Sequence, residues 1–215
     1  MKPSDFQVSW FDLVALAMLV VGLVRGRKRG ISEELLEVIQ WVLIVFAGAF
    51  LYQPLSRLLV STSGVFGQTL TAVIVYLLIA MILKLIFSFF KRSIGEKLVE
   101  SEAFGDLEYY LGMGAGLVRF ACMLMFALAL LNAKYISPAD LAADAKRQQD
   151  YFGSISFPTI GSLQQAVFRE SWTGRMTKQH LDMLLINVGP DDTRKGRENV
   201  FKSRQRTVDE VLRAK

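Results

Sequence analysis

The chain has 215 residues, of which 52% are apolar and 21% are charged, and its formal net charge is +5. It contains one cysteine and one histidine, which excludes an intrachain disulfide and any zinc site built from several cysteines. The basic residues flank apolar segments or lie in the C-terminal tail, where they set topology and meet anionic lipid. The positive charge therefore does not indicate a nucleic-acid partner.

Four apolar runs fill most of the first 131 residues, at 10–24, 35–52, 69–90 and 111–131. About 20 mainly apolar residues cross a hydrocarbon core as a helix, and shorter runs suffice where the bilayer thins. Between them the runs leave no room for a conventional soluble domain. The sequence predicts an all-α polytopic membrane protein, with a four-helix transmembrane domain at 1–131 and a polar, partly helical tail at 132–215.

The first run is not expected to be a signal peptide, because no small-residue cleavage pattern follows it and its positive block comes afterwards. That block consists of Arg25, Arg27, Lys28 and Arg29. Basic residues resist translocation, so the block is predicted to be cytoplasmic and the N-terminus outside. The two inner loops then carry seven basic residues, and the outer loop carries one, Arg57. We expect both termini to lie outside the cytoplasm.

Glycines in and beside the first and fourth runs follow a four-residue spacing. Gly112 and Gly116 form a G-x-x-x-G step, and Gly22, Gly26 and Gly30 repeat it. Such steps let helix backbones approach closely in membranes, so we interpret these glycines as packing positions. Gly30, which has no Cβ, is also predicted to turn the chain between the first two helices, which form an antiparallel hairpin.

One arginine lies deep in an apolar run. Arg119 is eight residues beyond Leu111, about 12 Å into the membrane, where a charge is costly unless it has a partner. Glu33, Glu37 and Gln40 form a stripe on the second helix at a similar depth. We hypothesise that Arg119 pairs with Glu37 or Gln40 and ties the fourth helix to the second. We favour this structural role for Arg119 over an ion-conducting or ligand-binding role, which is the alternative.

The tail has two apolar stretches at helical spacing. Neither is long enough to cross a membrane, so each is expected to lie in the membrane interface or to pack on a neighbouring subunit. From Gly189 onward the chain has many charges and few apolar anchors, which is typical of disorder or of an isolated polar helix. The apolar positions are Ile160, Leu163, Val167 and Phe168 in the first stretch and Leu181, Leu184, Leu185 and Val188 in the second.

The residue types that carry enzyme chemistry are poorly placed. Cys122 is interpreted as a small apolar side chain in a helix interface, and His180 as a residue on the polar face of a tail helix. An intramembrane aspartyl site needs two neighbouring aspartates, whereas Asp12 and Asp106 lie near opposite membrane faces. No P-loop, dinucleotide-binding glycine motif or H-E-x-x-H is present. We therefore expect no enzyme, no catalytic residues, no metal and no cofactor.

Three features in a fixed order resemble one known family. Asp12 is followed by Gly26-x-x-Arg29-Gly30-x-x-x-Glu34 at the corner and by Leu111-Gly112-x-x-x-Gly116-x-x-Arg119 in the fourth run. Together they resemble the colicin V production protein family of bacteria over about residues 5–131. The chain departs from the family pattern at Glu108 and Tyr109, where Asp-Arg is usual, and at Phe120, where the family has glycine.

The resemblance implies a multi-pass protein of the bacterial inner membrane that is linked to toxin production or export, and it implies no enzymatic reaction. We therefore expect a non-enzymatic protein that supports toxin production or export, or envelope homeostasis. The apolar runs imply the lipid bilayer as a partner, the glycine-lined helices favour a homo-oligomer, and export or envelope proteins are further candidates. An oligomeric channel or transporter component, with Arg119 and Glu37 near its pore, is the alternative. The positions expected to be most sensitive are Gly26, Arg29, Gly30, Glu34, Gly112 and Arg119.

Overall fold

A computed structural model describes residues 9–63, 68–99, 107–153 and 158–189, together with the isolated positions 201 and 205. Within these ranges every regular element is a helix. A long stretch, Trp10–Ser63, comes first and contains α1 (residues 10–29) and α2 (residues 31–63). It is followed by α3 (Gln68–Val99), α4 (Glu108–Asn132), α5 (Pro138–Phe152), α6 (Ile160–Gln165) and α7 (Trp172–His180).

The boundary between α1 and α2 is Gly30. Its φ of 75° and ψ of 171° are not helical, and a positive φ favours glycine because no Cβ is present to clash. The chain therefore reverses at the residue that the sequence singles out for a turn.

The two arms of this stretch run in opposite directions along α4. Gly22 and Gly26 of α1 lie against Gly116 and Gly112 of α4, so the order of contacts is reversed between the two helices. Helix α2 runs in the same direction as α4. Glu34 of α2 contacts Arg119 of α4, and further along both helices Trp41 packs on Phe126. The arms α1 and α2 thus form an antiparallel hairpin with α4 against both.

Helix α3 packs on α2 mainly through its first half. Gly48 of α2 lies against the ring of Tyr76, whose side chain is fully buried. From Met81 to Arg92 nearly every side chain is exposed, including Leu85 and Phe89, although Lys91 still contacts Glu37 of α2. The second half of α3 therefore presents apolar side chains in almost all directions.

Among the described residues, three helical stretches are long and apolar enough to cross a membrane: Trp10–Val60, Gln68–Arg92 and Glu108–Asn132. The predicted runs 10–24 and 35–52 both lie in the first stretch, on opposite sides of Gly30. The runs 69–90 and 111–131 lie in the second and the third. These lengths and compositions are those of an all-helical membrane protein.

The first apolar stretch of the tail packs on the chain's own helices. Residues Ile160–Gln165 form α6, which continues as a π-helical turn over Ala166–Glu170. Val167 and Phe168 of that turn are buried in one core with Phe11, Ala15 and Leu128, at the bundle end opposite Gly30. The expected partner for this stretch, a membrane interface or a neighbouring subunit, is therefore wrong for these two side chains.

The second apolar stretch of the tail is not the predicted helix. A short 3₁₀ turn, Asp182–Leu184, is followed by non-helical chain. The last residue of the turn, Leu184, and the next two, Leu185 and Ile186, are all buried. A helix cannot direct three consecutive side chains to one side, whereas a segment lying across the bundle end can bury them all. The Asn187 N–H donates to Tyr52 Oη at 3.0 Å, and Asn132 Nδ2 donates to the Ile186 carbonyl at 3.1 Å. The prediction for the chain beyond Gly189 lies outside the described residues, apart from positions 201 and 205.

The contact between α1 and α4 predicts a sharp difference between two glycines. In Gly26→Ala the new Cβ would overlap the Gly112 carbonyl oxygen, so we expect a loss of about 1–3 kcal/mol in the free energy of unfolding. In Gly114→Ala no atom lies within 4 Å of the new Cβ, and alanine is the better helix former, so stability should be unchanged or rise by up to about 1 kcal/mol. Thermal unfolding in mild detergent measures both. Equal stability of the two variants would contradict the close packing of α1 on α4.

Candidate functional site

Five charged side chains meet near the Gly30 end of the bundle, and we call them the charge cluster. They come from all four long helical arms: Arg29 from α1, Glu34 and Glu37 from α2, Lys91 from α3 and Arg119 from α4. The cluster contains three cations and two carboxylates, so its formal charge is +1. Each of the four arms contributes at least one charge to it.

The innermost pair of the charge cluster is Arg119 with Glu34. Arg119 Nη1 donates to Glu34 Oε2 at 2.6 Å, and the same nitrogen contacts Glu37 Oε2. The Glu34 side chain is 1% exposed and that of Arg119 is 9% exposed. Because neither charge has access to bulk water, each depends on the other for its stabilisation.

The outer part of the charge cluster opens toward solvent. Lys91 Nζ donates to Glu37 Oε1 at 2.6 Å, and the Lys91 side chain is 56% exposed. Arg29 Nη1 lies 3.4 Å from Oε1 of Glu34 and 3.4 Å from Oε1 of Glu37, with its side chain 31% exposed. Burial therefore falls from Glu34 toward Lys91, and the outer pairs are screened by water more than the inner one.

Arg119 has one nitrogen whose hydrogen-bonding capacity is not used. Its Nε is buried without a hydrogen-bond partner among the described residues. The guanidinium also lies over the Phe120 ring, with Cζ 5.5 Å from the centroid, an arrangement that attracts a cation to the ring face. Phe120 is the residue at which the chain departs from the glycine of the family pattern.

The predicted pairing of Arg119 can be compared with its observed partners. Glu37 is one of them, but the alternative, Gln40, is not among the ion-pair and hydrogen-bond partners found for Arg119 in the described part of the chain. The closest partner is Glu34, which the sequence indicated only through the motif at the corner. Glu34 and Glu37 are three residues apart and so share one helix face, whereas Glu33 is exposed. Lys91 was not predicted; its position at the end of an apolar run was the available signal.

Glycines bring the arms of the hairpin close enough to form the charge cluster. Gly26 and Gly112 lie backbone to backbone, and a Cβ on Gly112 would stand 2.8 Å from Gly30 Cα. At Gly30 a Cβ would stand 2.7 Å from Glu108 Cγ, so a side chain there would also displace Glu108. Arg29 therefore enters the cluster from a corner in which no added side chain has room.

Asp12 has its contacts at the opposite end of the bundle. Its Oδ2 accepts from the backbone N–H of Ser9 at 2.9 Å and from that of Trp172 at 3.1 Å, and its Oδ1 accepts from the N–H of Thr173 at 2.8 Å. Trp172 and Thr173 begin α7, so the carboxylate stabilises the positive end of that helix. Asp12 thus joins the start of α1 to the tail and is far from the charge cluster.

The other candidate residues do not extend either site. Cys122 is half-buried beside a small core formed by Val45, Ala49 and Leu184. His180 is exposed at the last residue of α7. Asp106 lies outside the described residues. No group of three or more His, Cys, Asp or Glu side chains that could hold a metal occurs within the described ranges.

The family model described as colicin V production protein matches residues 11–160. The chain belongs to the colicin V production protein family. The match contains Asp12 and the whole charge cluster, and it extends past the expected limit at residue 131 to include α5. Neither a curated protein nor a solved structure matches the chain. In this member of the colicin V production family, α6 and α7 lie almost entirely beyond residue 160, where the matched range ends. Their contacts with the end of the bundle are therefore outside the family match.

The inner pair of the charge cluster predicts a strong dependence of stability on both charges. Glu34→Gln leaves the buried Arg119 with a weakened set of partners, and we expect it to cost about 3–5 kcal/mol of unfolding free energy. Arg119→Gln should cost a similar amount, and the double variant should cost clearly less than the sum because it leaves no uncompensated charge. Thermal unfolding in detergent of the wild type, the two single variants and the double variant completes this double-mutant cycle. Lys84→Gln, on the exposed face of α3, is the control. Strictly additive losses would contradict the pairing.

The contact of Asp12 with α7 predicts that the tail can be released from the bundle end. Asp12→Ala removes the acceptor for the N–H groups of Trp172 and Thr173, and we expect docking of the tail to weaken by about 1–2 kcal/mol. Limited proteolysis should then cut the tail faster than in the parent protein. Asp150→Ala, at an exposed position of α5, should leave the cleavage rate unchanged. If both variants are cut equally fast, Asp12 does not hold the tail.

Proposed function

We propose that this member of the colicin V production family is a non-enzymatic, multi-pass inner-membrane protein that supports toxin production or export, or envelope homeostasis. The charge cluster is the observation that carries the proposal. Its three cations pair with two carboxylates across four helical arms, which is an arrangement that holds helices together. Such a protein serves as a scaffold for export or envelope partners.

The packing near the charge cluster supports a scaffold rather than a conduit within a single chain. Helices α1 and α4 touch through Gly26 and Gly112, so no path for a solute lies between them. Arg119 and Glu34 fill the space toward α2 with a buried ion pair. The inner part of the cluster therefore leaves little room for a path through one chain.

The same arrangement supports a topology with four membrane crossings. The stretch Trp10–Val60 has 51 residues and at about 1.5 Å per residue would measure roughly 75 Å if straight, more than twice the hydrocarbon thickness. Its break at Gly30 divides it into two arms, each long enough to cross. Arg25, Lys28 and Arg92 lie at the Gly30 end, so this end is proposed to be cytoplasmic, with both termini outside.

Labelling of introduced cysteines tests this topology. In a Cys122→Ala background, Lys146→Cys in α5 is expected to react with a membrane-impermeant thiol reagent on intact cells. Arg25→Cys, exposed at the end of α1, should react only after the membrane is permeabilised. The reagent cannot cross the bilayer, so the pair of sites reports opposite faces. Reaction of both sites on intact cells would overturn the four-crossing arrangement.

Complementation tests the scaffold role. Cells that lack the chain should secrete less toxin or become more sensitive to envelope stress, and the wild type and Lys84→Gln should restore the phenotype. Glu34→Gln should fail to restore it at matched protein levels, because the helical arms are no longer held by the cluster. Full restoration by Glu34→Gln would separate the cluster from function.

The second candidate is an oligomeric channel or transporter component. The specific observation in its favour is the second half of α3, whose apolar side chains between Met81 and Arg92 are exposed in nearly all directions. A second copy on this surface would build a ring. Two measurements test this candidate. One is the conductance of the purified protein and of Arg119→Ala in a planar bilayer, and the other is the oligomeric state in mild detergent. Discrete currents that change with the variant would place the channel first.

A further inference from the structure

A cleft of about 630 Å³ lies on the outside of the bundle, beside the Gly30 corner, and we call it the corner cleft. It is formed between the end of α1 and the beginning of α4. The two helices are held together behind it by the contact of Gly26 with Gly112. Its lining residues are Leu23, Val24, Arg27, Lys28, Tyr109, Tyr110 and Met113.

The lining of the corner cleft is divided into a polar level and an apolar level. Along α1, Leu23 and Val24 are followed one turn later by Arg27 and Lys28. Helix α4 runs in the opposite direction, so its first residues lie beside the cationic pair and Met113 lies beside the apolar pair. If α1 and α4 cross the membrane as proposed above, the cationic end of the cleft lies toward the cytoplasmic surface and the apolar end lies toward the membrane centre.

The polar level of the corner cleft is suited to an anion. Arg27 and Lys28 are exposed, and neither is part of the charge cluster. Tyr109 and Tyr110 are also exposed, and their hydroxyl groups add two uncharged donors at the same level. Cations and hydroxyl donors at one level favour a phosphate.

We propose that the corner cleft binds an anionic phospholipid of the cytoplasmic leaflet. Its headgroup phosphate accepts hydrogen bonds from Arg27, Lys28 and the two tyrosine hydroxyls, and the first part of an acyl chain lies on Leu23, Val24 and Met113. Basic pockets between membrane helices on this side are the sites at which such headgroups bind. The order of the two levels along the membrane normal is the order of headgroup and chain in a lipid. The proposal rests on the proposed topology, in which the Gly30 end is cytoplasmic, and not on the scaffold role.

Lipid titration of the full chain tests the proposal. The protein is purified in mild detergent, stripped of lipid, and titrated with phosphatidylglycerol, with phosphatidylcholine or with inorganic phosphate alone, and native mass spectrometry counts bound molecules. Phosphatidylglycerol should bind more tightly than phosphatidylcholine, and phosphate alone should not compete at millimolar concentration. Binding of both lipids with equal affinity would overturn the preference for a negative headgroup. Full competition by phosphate would show a simple anion site.

Variants with matched charge locate the site. Arg27→Gln with Lys28→Gln should weaken phosphatidylglycerol binding by about 30-fold, since two cations near the headgroup are lost. The control, Arg25→Gln with Arg92→Gln, removes the same charge from exposed positions at the same end and should change binding less than about 3-fold. Equal weakening by the two double variants would show a diffuse surface charge in place of a site.

A milder variant covers the case in which the double variant does not fold. Tyr110→Phe removes one exposed hydroxyl and leaves every charge in place, and it should weaken binding of phosphatidylglycerol by about 5-fold. Phosphatidylcholine also has a phosphate, so the weaker binding of that lipid should fall by a similar factor. If Tyr110→Phe leaves the binding of phosphatidylglycerol unchanged, the hydroxyl does not contact the phosphate and the proposed site is wrong.

Discussion

The buried ion pair between Glu34 and Arg119 is the interaction on which the arrangement of the helices depends. Two charges in an apolar interior each cost several kcal/mol unless they meet, so α2 and α4 must pack in one register. Glu34 is only four residues beyond Gly30, so the ion pair brings the corner, and with it the end of α1, close to α4. Gly26 and Gly112 allow this close approach because neither has a side chain at the contact.

Two functions of positive charge are separated at the Gly30 end of the molecule. Inside, Arg29, Lys91 and Arg119 are engaged by two carboxylates and hold the helices together. Outside, Arg27 and Lys28 belong to the same basic block but face away from the carboxylates. The alternation of neighbouring cations between the interior and the surface follows from the helical repeat, which turns Arg29 inward and its neighbours outward. A short basic sequence thus contributes to both packing and the membrane surface.

Sequence alone was sufficient for the features governed by composition and spacing. The long apolar helices, the turn at Gly30 and the need of Arg119 for a polar partner on the second helix all follow from local physics. The choice of Glu34 as the closest partner did not follow, because it depends on the register that the glycine contact imposes. The tail was harder. The stretch from Leu181 to Val188 was predicted to be helical from its spacing. Its chain after Leu184 is not helical and is instead held by hydrogen bonds with Tyr52 and Asn132, which no local pattern reveals.

The bond from Asp12 to the start of α7 also has a consequence for the order of assembly. Its two ends are 160 residues apart, so Asp12 enters the membrane long before Trp172 has been synthesised. At 5–20 residues per second the interval is roughly 10–30 s. During that time the end of α1 has none of its final neighbours from the tail, and Phe11 and Ala15 must be covered by something else. Closure of this end of the bundle is therefore a late, post-insertion step, separate in time from formation of the helical hairpin.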